Sequence, residues 1–405
     1  MVQVNAVKML TRISLIAKPF CERALQEDNL NVFAIIRFWM HDSTAFCLRH
    51  SRPYMLQWNQ EVLHIQNKYI LTKDDFTLWL RDELVSVEKF IEKDVLFGIS
   101  LKKIGIPCEL SDSMDSGDQT TPGYGPFFSA EEKTLDNKDS NKFLRALVDI
   151  GERGPVQKVG GHLEWDRTKS NQWLMNIHHA WQKAYCLYHC TPGLGGRGTE
   201  DALSQISNEE SGSPRHIEIN KGTCVVNANY HKGTLHTGTF KNIRRVLPYR
   251  VALLLFILVR VVRPVELIPV LKYWTKSGEE NIKATVRLYK LRLFASWGKA
   301  WTSEDMSTIL MAWFKKGLGI PMGLRMYRHV ATALQRKYMK YLVEEEPESI
   351  QEAADRQAGR TEKTSWGHYA VEQKTDNPMK HIRDFELVCA GWHKMCSMET
   401  YPELK

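Results

Sequence analysis

The sequence lacks the signals that mark secreted, membrane-spanning and disulfide-stabilised proteins. Its eight cysteines are scattered and do not show the spacing of a disulfide module. The longest apolar run, residues 251–262, includes Arg260 and is too short to span a bilayer. The first 20 residues contain no clean apolar run followed by a cleavage site. We therefore expect a reducing intracellular compartment and no membrane partner.

Motifs for nucleotide phosphates and for metals are also missing. The glycine-rich residues 192–196 do not follow the pattern of a nucleotide-phosphate loop. Histidine and cysteine gather at two places, His179, Cys186, His189 and Cys190, and Cys389, His393 and Cys396. No second pair at zinc spacing accompanies either group, so both are predicted to pack in the core. We expect neither a metal site nor a cofactor.

Acidic residues are scarce in one long segment. Residues 228–343 contain 21 Lys and Arg against 5 Asp and Glu, a surplus of +16, whereas the rest of the chain contains 34 against 42. A positive surplus confined to one segment is typical of a protein that binds a polyanion. Double-stranded DNA is the first candidate partner, and an anionic membrane surface is the second.

Apolar spacing predicts a mainly α-helical chain with a small β-sheet or hairpin. Residues 1–105 repeat apolar positions every three or four residues, including the segments 59–70 and 74–99. Thr72, just before two aspartates, indicates a helix start. Residues 109–141 are acidic and rich in Ser, Gly and Pro, which indicates a loop or flexible linker.

Beyond this linker, the chain continues as helix, strand and helix. Helical spacing covers residues 142–190 and returns over 249–321, where 251–262 has the pattern of a buried core helix and 283–302 that of a further helix. Between them, β-branched stretches within residues 217–248 predict strands and a basic hairpin.

Residues 323–342 have the pattern of a strongly basic amphipathic helix. A further stretch ends at Tyr369, nine residues after Arg360. Arginines followed by an isolated tyrosine suit the cleavage of a phosphodiester, in which the phenol attacks phosphorus and guanidinium groups hold the charged oxygens. Taken alone, the stretch favours a half-buried tyrosine and a solvated basic face. Residues elsewhere in the chain bear on the choice between these two interpretations.

Four short segments, in this order, resemble the catalytic domain of tyrosine recombinases. GGRGTEDALSQI is similar to the first arginine box and places its arginine at Arg197, and YHKGTLHTGTFKNIRRVLP is similar to the hairpin that carries the catalytic lysine, here Lys232. LRMYRHVATAL resembles the second arginine box, with Arg328, and QAGRTEKTSWGHYA resembles the third box, which ends on the nucleophile, Tyr369. Together they resemble the recombinase-like proteins of fungal Crypton elements and the similar region that precedes the helicase domains of fungal telomere-linked RecQ-type proteins.

The resemblance implies a nuclear protein that breaks and rejoins double-stranded DNA during recombination or integration. Arg197 and Arg328 would hold the scissile phosphate, Tyr369 would form a phosphotyrosyl link, and Lys232 would protonate the leaving hydroxyl. Such chemistry needs neither a metal nor a cofactor, and an oligomer of identical chains on DNA is expected. Further phosphate or DNA contacts are expected from Arg325, Arg360, His329, Lys241, Arg244 and Arg245.

Two positions depart from the family pattern. Arg325 and Arg360 stand where the family has histidine-type residues. Arginine can donate to a phosphate but stays charged, so it cannot transfer a proton. Two hypotheses therefore stay open: an active strand-breaking enzyme, and a catalytically degenerate DNA-binding module derived from a mobile element or a helicase-linked protein. A membrane-surface or purely structural helical protein would not explain why four boxes occur in order.

The expected architecture is a recombinase-like catalytic domain preceded by a helical domain that clamps DNA. The boundaries are 1–108 for an N-terminal core-binding-like domain, 109–141 for the acidic flexible linker, 142–375 for the catalytic domain and 376–405 for a C-terminal tail.

Overall fold

The computed structural model describes residues 56–107, 109–112, 115, 117–125, 137–228, 243–339 and 378–399. The chain divides into two compact units between Ile70 and Leu71. This division lies upstream of residue 108, where the sequence suggested a boundary.

The first described elements are three short strands, β1 Leu56–Asn59, β2 Val62–Ile65 and β3 Tyr69–Thr72, which form a sheet in that order. β1 runs antiparallel to β2. The helix predicted for residues 59–70 is therefore wrong.

Turn residues explain this difference. Gln60 has a φ of 51°, and Gln66 and Asn67 each have a φ of 54°. These left-handed positions end a strand and cannot continue a right-handed helix. In β2, the fully buried Leu63 and Ile65 alternate with half-buried residues, which is the period of a strand with one covered face. The apolar spacing over so short a run fits both periods, so the turns decide.

The second unit is mainly helical with small sheets, as predicted. Its helices are α1 Lys73–Phe90, α2 Lys138–Asp149, α3 Arg167–Cys190, α4 Gly198–Ala202, α5 Tyr249–Phe256, α6 Arg263–Tyr273, α7 Glu279–Leu291, α8 Ser303–Leu318, α9 Leu324–Tyr338 and α10 Pro378–Met395. π-Helical turns at Ile91–Val95 and Ile257–Val262 extend α1 and join α5 to α6.

In the described part of the second unit, three small antiparallel sheets accompany these helices. The strands are β4 Val156–Val159, β5 His162–Trp165, β6 Ile217–Asn220, β7 Thr223–Ala228, β8 Ile243–Val246, β9 Ala295–Ser296 and β10 Lys299–Ala300. β4 pairs with β5, β9 pairs with β10, and β6, β7 and β8 form a sheet in sequence order. The strands predicted within residues 217–248 are confirmed for β6, β7 and β8. The helix predicted across residues 142–190 is interrupted by the β4–β5 hairpin, because the turn residues Gly160 and Gly161 have φ values of 57° and 88°.

Capping explains where the helices begin and end. The Thr72 side chain accepts the backbone N–H of Asp75 at 3.0 Å and starts α1, as its sequence predicted. Thr302 does the same for α8. α8 ends at Gly319, whose φ of 70° closes the helix in the left-handed region that glycine adopts without strain.

The core is built around α3, which packs against α1, α5, α6 and α8. Its side chains Trp173, Ile177, Trp181 and Tyr185 are almost completely buried. Each such side chain contributes about 2 kcal/mol through the hydrophobic effect, before the cost of ordering it. The buried segment predicted at residues 251–262 is confirmed, because α5 and the following π-helical turn supply much of this core.

The helix predicted over residues 283–302 ends earlier than expected. α7 stops at Leu291, and Arg292 is extended. The chain then forms the β9–β10 hairpin, whose turn residues Trp297 and Gly298 have φ values of 53° and 72°. The apolar run LRLFASW is compatible with either period, and the WG turn selects the hairpin.

The described part of the acidic segment 109–125 is held against the rest of the second unit. The guanidinium of Arg215, whose side chain is fully buried, pairs with the Asp115 carboxylate and the Asp118 carbonyl. The Asn208 side-chain amide donates to the carbonyls of Asp118 and Thr121 at 3.0 and 2.9 Å. The acidic side chain of Asp115 thus compensates a buried cation, which a free linker would not do.

A second buried charge lies between α6 and α7. Arg263 donates from its two Nη atoms to the carbonyls of Arg292 and Leu293, each at 2.7 Å. Glu266 accepts from the Tyr289 hydroxyl at 3.2 Å. Burial raises the pKa of Glu266 to about 7, and the charge of Arg263 opposes part of that rise.

Glu266→Gln should remove a pH dependence of stability near neutral pH. Because the pKa of Glu266 is higher in the folded state, the free energy of unfolding of the wild type falls as pH rises from about 4.5 to about 7. The fall attributable to this group is on the order of 2–3 kcal/mol. Urea denaturation at several pH values measures it, with the exposed Glu280→Gln as the matched control. A Glu266→Gln variant as pH-dependent as the wild type would contradict this assignment.

Candidate phosphate-binding site

Arg197 is the first residue of the predicted site, and it precedes α4 directly. Its backbone N–H donates to Glu200 Oε2 at 3.0 Å, and its Nε lies 3.9 Å from Glu200 Oε1. The Glu200 side chain is only 3% exposed, whereas that of Arg197 is 24% exposed. A buried carboxylate therefore lies against the Arg197 guanidinium, and the arginine side chain as a whole keeps partial access to solvent.

Residues 191–197 join α3 to α4 and form the Arg197 loop. A buried histidine–aspartate pair packs against this loop. His189 Nδ1 is 2.6 Å from Asp201 Oδ2, and both side chains are buried. A Cβ at Gly195 would come within 2.5 Å of His189 Nε2, so only glycine allows the loop to lie on this pair. His189 was predicted to pack in the core, but Asp201 was not predicted as its partner. The adjacent glycines 195 and 196 do indicate that the backbone approaches another part of the chain closely, but they do not show which residues it approaches.

Arg328 lies on α9, which packs against the same region. Tyr327, its neighbour, is fully buried, donates its hydroxyl to the Cys190 carbonyl at 2.9 Å and places its ring 5.4 Å from that of His189. The first residues of α4 and α9 also meet, since a Cβ on Gly198 would lie 2.7 Å from Leu324 Cδ1. α9, the helix that carries Arg328, therefore contacts the chain on both sides of the Arg197 loop, at Cys190 and at Gly198.

The predicted basic amphipathic helix is confirmed in α9. Its buried face includes Leu324, Tyr327, Val330, Ala331 and Leu334. Arg325 is exposed, and Arg328 and His329 are half-buried. The three residues expected to contact phosphate on this helix thus all keep some access to solvent.

β8 fixes the Arg197 loop from the other side. Arg245 is buried, donates from Nε to the Leu194 carbonyl at 2.9 Å, and places Nη2 3.5 Å from Glu200 Oε2. Arg244 pairs with Glu218 at 3.1 Å and with Glu386 at 3.6 Å. Both arginines were expected at the DNA, but the structure places them in contacts within the chain.

The C-terminal helix α10 is anchored to the same loop. Cys389 Sγ accepts the Val246 N–H at 3.3 Å and donates to the Pro192 carbonyl at 3.4 Å. Trp392 Nε1 donates to the Cys190 carbonyl at 3.1 Å. Burial lowers the pKa of the neighbouring His393 to about 3, so this histidine is neutral near pH 7. The helix that follows the third box in sequence thus ends where the first box lies.

The core prediction for the two histidine and cysteine groups is confirmed with one exception. Cys186, His189, Cys190, Cys389, His393 and Cys396 are all buried. His179 is exposed, because α3 turns this position away from its packed face, so its core prediction is wrong. Burial raises the pKa of the Cys186 and Cys190 thiols well above the ordinary value, which keeps both thiols protonated.

Four predicted site residues lie outside the described residues: Lys232, Lys241, Arg360 and Tyr369. The structure places only their flanks. Ala228 at the end of β7 pairs with Ile243 at the start of β8, so Lys232 and Lys241 belong to the segment between two paired strand ends. Tyr369 precedes the first residue of α10, Pro378, by nine residues.

Some cations of the basic segment form ion pairs with carboxylates in the structure. Arg250 pairs with Glu88 at 2.8 Å, and Arg260 pairs with Asp139 at 2.5 Å. Both carboxylates come from outside the basic segment, so the acidic remainder neutralises part of the +16 surplus. On α8 and α9, the side chains of Lys315, Lys316, Arg325 and Arg336 are exposed.

No protein-family model, curated protein or solved structure matches the chain. Within the described ranges, no three His, Cys, Asp or Glu side chains gather as a metal site requires. Nor does any helix in this part of the chain combine the length and apolar character needed to cross a bilayer.

Proposed function

We propose that this chain binds double-stranded DNA and cleaves and rejoins a strand through a phosphotyrosyl-DNA intermediate. One observation supports this most strongly. The Arg197 loop, the strand β8 that ends the hairpin box, the helix α9 of the second box and the helix α10 after the third box all meet at residues 189–200. These segments are far apart in sequence, and the order of the boxes alone did not require their contact.

In this proposal, the two arginines bind the phosphate oxygens on which charge builds. Arg197 is held by Glu200 and partly exposed, and Arg328 lies on the helix that packs beside its loop. Guanidinium groups that are positioned in advance stabilise the charged transition state without reorganisation. The Tyr369 oxygen forms the new bond to phosphorus and releases its proton to solvent. The bond from phosphorus to the DNA oxygen breaks, and that strand leaves as a free hydroxyl whose proton Lys232 supplies.

The proposal extends to the setting of the reaction. In this proposal the protein acts in the nucleus, in DNA recombination or integration, and identical chains assemble on the DNA. Energy is retained in the phosphotyrosyl link, so rejoining needs no ATP.

A second candidate function is a DNA-binding module that has lost catalysis. Arg325 and Arg360 favour it, because neither can replace a histidine in proton transfer. Arg325 is exposed, three residues before Arg328 on α9, and it remains able to contact a phosphate. The module would keep the basic surface and the fold of the site.

Covalent trapping distinguishes the two candidates. The protein is incubated with nicked duplex DNA, denatured, and examined for an adduct that survives the denaturant. We expect an adduct with the wild type and none with Tyr369→Phe, whereas Tyr338→Phe, a half-buried tyrosine among basic residues of α9, should leave the adduct unchanged.

Each alternative outcome has a definite meaning. An adduct that persists in Tyr369→Phe would remove Tyr369 as the nucleophile. Firm duplex binding without an adduct on any nicked or intact duplex would select the catalytically degenerate module.

A further inference from the structure

Two neighbouring tryptophans with surface open to solvent lie more than 20 residues in sequence from each of the four boxes. Trp274 follows α6 directly and is 49% exposed, and Trp297 is half-buried in the turn between β9 and β10. Their ring centroids are 4.7 Å apart with an interplanar angle of 66°, so the two rings are not stacked on one another. Tryptophan is enriched at binding interfaces, and adjacent aromatic side chains exposed to solvent are therefore candidates for a binding surface.

The backbone at Trp297 makes the same point. Trp297 and Gly298, with φ values of 53° and 72°, form a two-residue hairpin turn. Such turns favour Asn-Gly, because the first position must adopt a left-handed conformation that bulky side chains resist. The geometry of the turn does not explain a tryptophan at this position, which suggests that the ring itself serves a purpose on the surface.

Cations surround the pair in sequence. Residues 272–299 contain seven Lys and Arg against two Glu, and one of these glutamates, Glu279, already pairs with Lys283 at 2.5 Å. Lys272, Lys276 and Lys299 are exposed and lie two residues from one or other tryptophan. The Lys272 Nζ lies 5.2 Å from the centre of the ring of Tyr273, the residue directly before Trp274.

Packing holds these pieces on one surface. The Gly298 N–H donates to the Tyr289 hydroxyl at 3.3 Å, which ties the β9–β10 turn to α7. Trp274 Nε1 donates to Asn171 at 3.1 Å, which fixes that ring against α3. Aromatic rings beside exposed lysines resemble the surfaces on which unpaired bases stack while the cations contact the phosphates.

We propose that the Trp274–Trp297 surface binds single-stranded nucleic acid, with an unpaired base stacked on a tryptophan ring and the lysines on adjacent phosphates. A duplex does not suit this surface equally well, because its bases are already stacked on each other and offer no free ring face. The inference stands apart from strand cleavage and holds for an active enzyme and for a binding module alike.

The test compares binding of the full chain to fluorescein-labelled oligothymidylate and to a duplex of equal length, by fluorescence anisotropy. Trp297→Asn is the main variant, because asparagine suits the turn and preserves the fold. We expect Trp297→Asn and Trp274→Ala each to weaken single-strand binding about tenfold and to change duplex binding little. Leu78→Ala, at a position 53% exposed on α1, is the matched control and should change neither.

Three results would overturn the proposal. The first is wild-type protein that shows no binding to oligothymidylate. The second is equal single-strand affinity in the wild type and in both tryptophan variants, with unchanged circular dichroism. The third is a loss of binding to anionic phosphatidylserine vesicles in these variants while single-strand binding is retained, which would assign the surface to lipid.

Discussion

Arg197→Ala should lower the yield of the covalent protein–DNA adduct by about 10²- to 10³-fold. The size of the effect follows from the loss of one prepositioned donor to the charged phosphate oxygens. The free energy of unfolding should change little, because the Arg197 side chain is partly exposed. Glu200 also keeps its hydrogen bond from the N–H of residue 197 and its ion pair with Arg245. The rate of adduct formation on a nicked duplex measures the loss, and urea denaturation measures the stability.

Conservative variants separate charge from geometry at this position. Arg197→Lys keeps the positive charge but loses the planar fork that binds two phosphate oxygens together. Its rate should therefore lie between those of the wild type and Arg197→Ala. Arg328→Ala should resemble Arg197→Ala, since both arginines are assigned to the same phosphate. Arg153→Ala, at an exposed position outside the basic segment, is the control and should leave the rate unchanged.

A different outcome would reassign the two arginines. If Arg197→Ala and Arg328→Ala form adduct as fast as the wild type, then neither arginine acts on the reacting phosphate. If both variants lose the adduct together with several kcal/mol of stability, the arginines support the fold, and the kinetic loss would be secondary.

Helices with strong apolar periods and clear caps were predictable from the sequence. α1 begins at Thr72, and α9 carries its basic and apolar residues on the expected faces. The failures at residues 59–70 and 292–302 share one cause, because a short apolar run fits a strand or a helix equally well. In both places, positive φ values at turn residues select the strand, and at Gln60 and Trp297 the residue type did not announce the turn.

The chemistry of the site was only partly accessible from the sequence. A residue count gives Arg244 and Arg245 the same weight as Lys315, but the structure buries Arg245 against Glu200 and pairs Arg244 with Glu218. Partners far apart in the chain decide such cases, and a single sequence does not reveal them. The pair of His189 and Asp201 was missed for the same reason, since its two members are 12 residues apart on different helices.

Duplex DNA binding should weaken steeply with salt, by about 10³-fold between 50 and 200 mM if roughly six phosphates are contacted. Each lysine or arginine that pairs with a phosphate releases condensed counterions, so the logarithm of the affinity falls linearly with the logarithm of the salt concentration. The number of contacts is lower than the segment's 21 basic residues, because several of them, including Arg245, Arg250 and Arg260, already pair with carboxylates.

Two pairs of adjacent exposed lysines test where that surface lies. Lys315 and Lys316 end α8 within the basic segment, and Lys102 and Lys103 lie in the acidic remainder of the chain. Replacing the first pair with alanine should reduce the salt slope by up to about 2, since each phosphate contact contributes about 0.9. Replacing the second pair changes the net charge equally but should leave the slope as it is. Equal effects of the two double variants would mean that only total charge matters, and salt-independent binding would exclude the basic segment as the DNA surface.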